Sequence, residues 1–107
     1  MAHNYKNAKV DLTTTNATVL YTCPTATTAI IKSILVSEDS GNADTLTVTI
    51  TDAAAAVFSV FKVKAVGANG TVEFLTEPLV IEESEIIKVT AATANRLHVV
   101  ASFLEVS

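Results

Sequence analysis

The chain has 107 residues, half of them apolar, 17% charged, with a net charge of −4. That length fits one domain with one core, and the apolar fraction excludes a disordered chain. The acidic balance excludes an electrostatic nucleic-acid binder, and one cysteine excludes an intramolecular disulfide framework. Sixteen Thr, fourteen Val and seven Ile make about a third of the chain β-branched. Such side chains are stiff at χ1 and suit a pleated surface, so the chain reads as all-β.

Residues 1–7 are polar and aperiodic and read as an arm or a frayed terminus. The start has no apolar stretch of the secretory type, so the protein is expected to be made in the cytoplasm. The uncharged stretch from Leu12 to Ile31 is rich in Thr and holds Pro24, a poor membrane span. Val10 and Leu12 alternate with Lys9, Asp11 and Thr13 as a short first strand. Val19, Leu20 and Tyr21 form the second, ended at Cys23 before Pro24. Thr28 to Ser37 is a strand apolar on both faces, Ile30, Ile34 and Val36 on one and Ile31 and Leu35 on the other. Glu38 to Ala43 is a turn by composition. Asp44 to Asp52 alternates strictly, Leu46, Val48 and Ile50 inward and Thr45, Thr47, Thr49 and Thr51 outward.

The four alanines Ala53 to Ala56 are too few for a helix and read as a connection. Val57 to Ala65 follows, with Val57, Phe61 and Val63 on one face and Phe58 and Val60 on the other. Asn69-Gly70 marks a hairpin-type turn. Thr71 to Leu75 and Leu79 to Ile81 are short strands flanking Pro78, and Glu82 to Glu85 is an acidic turn. Glu85 to Ala91 and Leu97 to Val106 close the chain. Eight or nine strands at about ten-residue spacing predict a single antiparallel β-sandwich or barrel. The expected organisation is a polar N-terminal arm over 1–9 and a β-sandwich over 10–107. Three strands carry apolar residues on both faces, so part of the outer surface is expected to be covered by other copies or a partner.

No catalytic constellation is visible. A nucleophile needs a base and an orienting group, and the histidines are His3 in the polar arm and His98 in a strand. Cys23 reads as a small buried hydrophobe. Glu38-Asp39 and Glu82, Glu83 and Glu85 lack calcium-loop spacing and read as solvated turns. The three glycines are dispersed, so there is no phosphate loop, and six aromatics without Trp make a poor sugar platform. No catalytic residue, metal ligand or cofactor is assigned, and the chain reads as a non-enzyme.

Several segments carry a family likeness. Leu20-Tyr21-Thr22-Cys23-Pro24, followed by Thr28-Ala29-Ile30-Ile31-Lys32-Ser33-Ile34, resembles the opening of small virion proteins of tailed phages. Asp44 to Ile50, Asn69 to Phe74, Glu77 to Ile81 and Leu97 to Val106 continue the likeness in order, over about residues 19–106. The turn Glu82-Glu83-Ser84-Glu85 departs from the family's Gly-Asp turn. The resemblance implies a jelly-roll β-sandwich on a phage particle, foremost a capsid decoration or cement protein stabilising the major capsid shell. A neck, tail or fibre component is the alternative, and a glycan-binding module for host recognition the alternative of another class. The implied partners are copies of itself, a trimer foremost, and the major capsid protein or other virion proteins, with neither nucleic acid nor membrane. The candidate contact segment is the arm of Met1, Ala2, His3, Asn4, Tyr5, Lys6, Asn7, Ala8 and Lys9.

Overall fold

The computed structural model describes residues 2–107. Nine antiparallel strands run in order: β1 His3–Asp11, β2 Thr18–Thr22, β3 Thr28–Glu38, β4 Asp44–Thr51, β5 Val57–Val66, β6 Thr71–Glu73, β7 Leu79–Ile81, β8 Ile86–Ala91 and β9 Leu97–Val106. They form two sheets. One has the order β1-β9-β3-β6, with β7 also paired to β3; the other is β2-β8-β4-β5. Of the connections, β4 to β5 is a hairpin within one sheet, and β6 to β7 stays on β3. The remaining connections cross between the layers, which gives the jelly-roll-like sandwich.

The core lies between the layers. Ala29, Ile31, Ile34, Val36, Val99, Ala101 and Phe103 from the five-stranded sheet meet Leu46, Val48, Ile87 and Val89 from the other. Phe74 is 1% exposed and packs edge-on against Phe61 at 5.3 Å. Tyr21 reaches across the layers at one end. Its ring lies 4.3 Å from Phe103, and its hydroxyl donates to Glu105 Oε2 at 2.6 Å. Lys6 pairs with the other carboxylate oxygen at 2.8 Å. Those bonds hold the Glu105 carboxyl below its usual range, while burial and then Glu105 push the Tyr21 phenol up.

Three features differ from the sequence expectation. First, the segment expected as a free or frayed arm is a strand from His3 onward, paired along its length with β9. Its polar pattern hid it because this strand covers only the rim of the core, through Ala8 and Val10. Met1 lies outside the described residues. Ala2 and Ser107 exchange both backbone hydrogen bonds (2.9 and 3.0 Å), so the described ends of the chain are clasped.

Second, the faces of β3 differ. The pairing with β9 slips between Ile31 and Ser33, a β-bulge. The extra residue reverses the alternation, so Ile31 shares the core face with Ile34 and Val36, and Ile30 and Leu35 turn outward together. The pairing of β5 with β4 slips twice, which likewise breaks the simple alternation expected there.

Third, Asn69-Gly70 is no hairpin turn, because β5 and β6 lie in different sheets. Gly70 N–H donates to Gly67 C=O at 3.0 Å, with Asn69 left-handed at φ 55°. The turn carries the chain from one layer to the other.

The second slip of β5 has a cost. Val63 sits there at φ 53° with its N–H donating to Thr47 Oγ1 at 3.1 Å. A β-branched residue in the left-handed region is strained by about 1–2 kcal/mol, and Val63 is 60% exposed, so little packing offsets that. Val63→Gly is expected to stabilise the protein by about 1 kcal/mol in urea denaturation. A midpoint at or below wild type would contradict this.

Candidate functional site

The two outer faces of the sandwich are unlike. On the four-stranded sheet, Thr47, Thr49 and Thr51 of β4 face outward beside Thr90 and Lys88 of β8. This face is rich in half-buried hydroxyls, and the exposed Val19 of β2 and Val57 of β5 lie in its rows, opposite Lys88 and Thr51. On the five-stranded sheet the outward residues of β9 are His98, Val100, Ser102, Leu104 and Val106, and those of β3 include Ile30 and Leu35.

Register assembles these into rows. Tyr5 is opposite Leu104, Leu104 opposite Ile30, and Ile30 opposite Val80. One apolar row therefore crosses β1, β9, β3 and β7. Tyr5 is 76% exposed and Val80 55% exposed. Val100 and the exposed Leu35 form a shorter second row. Lys32, at the bulge of β3, holds its ammonium 5.8 Å from the Tyr5 ring centroid. Directly paired side chains on one face touch, so the row is continuous. The apolar surplus seen in the sequence on β3 and β9 thus lies side by side on a single face. That of β5 lies elsewhere, where Val57, Phe58 and Val63 are exposed on an edge.

The candidate segment divides by face. Tyr5, Asn7 and Lys9 belong to the outer face, as do the partners of Tyr5 and Asn7 across the ladder, Leu104 and Ser102. Lys6 and Ala8 lie on the inner side, opposite Phe103 and Ala101. Removing residues 1–9 would strip the sheet of its edge strand as well as any contact residues.

His98 sits on the same outer face, with Nε2 3.2 Å from Asp11 and Nδ1 3.5 Å from Asp39. Ser37 is directly across the ladder from it, and Asp11 across on the other side. The row has the residue types of a hydrolytic triad, but both ring nitrogens face carboxylates, so neither points at the serine as a base. Cys23 is buried as expected, its thiol near the carbonyls of Thr27 (3.3 Å) and Ile81 (3.6 Å), and burial pushes its pKa up.

The acidic turns have internal employment. Glu83 accepts from Ala26 N–H and Glu85 from Glu82 N–H, both at 2.7 Å. Glu38 is not solvated: it is 2% exposed. Its carboxylate accepts from the N–H groups of Ser40 (2.7 Å), Gly41 (3.0 Å) and Asn69 (3.0 Å), and from the Ser40 hydroxyl. Burial alone would raise its pKa; the Ser40, Asn69 and Gly41 donors outweigh that and lower it to about 2. No sequence signal separates such a glutamate from a surface one. Among the described residues no group of three or more His, Cys, Asp or Glu is placed to hold a metal ion.

No protein-family description matches the chain, and no curated protein is detectably similar to it. The geometry of this module is therefore the main guide to its function, beside the sequence likeness.

Proposed function

We propose that this chain is a non-catalytic structural subunit of a tailed-phage virion, a capsid decoration or cement protein that docks on the major capsid shell. The observation that carries the reading is the row Tyr5, Leu104, Ile30 and Val80 on one outer face. Apolar side chains aligned across four strands form a preformed docking surface, whereas on the opposite face threonines and Lys88 interrupt the apolar residues. The ordered sequence likeness over residues 19–106 supports the virion setting. In mechanism, subunits seated across capsomer junctions bury apolar area there and resist the outward pressure of packaged DNA. The protein would be made in the bacterial cytoplasm and reside on the particle.

The test is binding to expanded shells of the encoding phage prepared without this protein. Wild type is expected to cosediment with the shells and raise the temperature at which they open. Val80→Asp puts a charge in the exposed part of the row and is expected to weaken binding at least about tenfold, the effect of losing about 1.4 kcal/mol. Failure of wild type to bind, or undiminished binding by Val80→Asp, would overturn the reading.

A further inference from the structure

We infer that β1 is a self-association edge, at which a second copy of this chain adds its own β1 antiparallel about a two-fold axis through Asn7. This goes beyond the virion reading and does not depend on it.

The argument begins with backbone accounting. Ala2 and Ser107 exchange both hydrogen bonds, and in an antiparallel ladder such pairs alternate. Even-numbered residues of β1 therefore bond to β9, and His3, Tyr5, Asn7 and Lys9 direct their N–H and C=O groups away from it. Among the described residues no strand lies on that side. Thr13 N–H takes the Asp11 carbonyl at 3.0 Å, which ends the free ladder there.

Such an edge is normally blunted, and the other edges of this molecule are. On the four-stranded sheet, β2 has five residues and a bulge, and β5 has two register slips and the left-handed Val63. On the five-stranded sheet, β6 and β7 have three residues each. By contrast β1 runs nine residues with no register slip. Lysines are a common edge guard, but Lys6 is already paired with Glu105 on the inner side. That leaves Lys9.

Register then selects one arrangement. Complete overlap of the two strands sets Asn7 opposite Asn7 of the second copy. It sets Tyr5 opposite the second copy's Lys9, and His3 opposite its Asp11. The like-charged residues are separated, the aromatic ring meets an ammonium, and the imidazole meets a carboxylate. Slipping by one residue per strand toward the N-terminus sets Lys6 against Lys6 and His3 against Lys9, and overlaps less. Longest ladder and best charge match coincide. In the joined sheet the two apolar rows lie on the same side, which doubles the docking surface.

The test combines solution mass with cross-linking. Asn7→Cys puts two thiols at a directly bonded pair, with Cα atoms about 5.5 Å apart, within disulfide range. It is expected to oxidise to a covalent dimer. Tyr5→Cys leaves its two positions about 14 Å apart, four residues along the strand and one strand across, and is expected to stay uncross-linked. Light scattering is expected to show a wild-type dimer. Asn7→Pro removes an outward N–H and leaves the β1–β9 ladder whole, so a folded monomer is expected. A monomeric wild type at about 1 mM, a trimer, or equal cross-linking at positions 5 and 7 would overturn the inference.

Discussion

Phe74→Ala is expected to destabilise the fold by about 3–5 kcal/mol, the largest loss of any single truncation considered. Phe74 is the largest fully buried side chain and lies in the break between β6 and β7. Its N–H donates to the Ile34 carbonyl at 2.9 Å, so the backbone is held there and cannot collapse freely into the void. Its ring meets Phe61 from the other sheet, and the Lys64 ammonium lies 5.4 Å from its centroid. Truncation removes buried area, an aromatic pair joining the two layers and a cation–π partner together. Urea denaturation of the two proteins measures the loss directly. A cost below about 1.5 kcal/mol, within the range of a volume-conserving core swap, would show that this end of the sandwich repacks.

The second large effect is expected at Glu38. Glu38→Gln keeps the shape but replaces one carboxylate oxygen with an amide donor. That donor faces the backbone N–H groups of Ser40, Gly41 or Asn69, which the carboxylate now accepts from. The β3–β4 turn and the Gly67–Gly70 turn lose their common anchor, and the thermal midpoint is expected to fall by about 10 °C. The pH dependence carries the sign. The Glu38 carboxyl titrates lower in the folded chain, at about 2, than its ordinary value of 4.5. Its contribution is thus complete above the ordinary value and lost as pH falls from there toward 2. Wild type should lose stability on acidification through that window, and Glu38→Gln should lose less. Parallel curves for the two proteins between pH 6 and pH 2 would refute the assignment.

Most strands were legible because tertiary and local signals agreed. Leu46, Val48 and Ile50 alternate with threonines, and that pattern is the observed core and outer face of β4. Pro24 and Pro78 stand in the connections, as expected, and the strand expected over Asp44 to Asp52 ends one residue earlier, at Thr51. What escaped was what has no one-dimensional signature. A bulge at Lys32 inserts one residue without changing composition, and it exchanges the faces of everything on one side of it. The strand β1 is mostly polar, with Tyr5 alone apolar on the outer face and only Ala8 and Val10 reaching the rim of the core on the other. Glu38 reads like any turn glutamate until the Asn69 turn is brought beside it from thirty-one residues away. The candidate face itself was half legible: the surplus of apolar residues was visible, and their alignment into one row depended on register.

The clasp between Ala2 and Ser107 has a bearing on how the molecule can be handled. Ala2 and Ser107 share one corner of the sandwich, so whatever is joined at either is displayed from the same place. Ring closure through a short peptide would span a gap already bridged by hydrogen bonds, and new ends could be opened at the exposed Ala53–Ala56 turn, at the far side of the β4–β5 hairpin. The topology is in effect circular, with its seam at the edge strand.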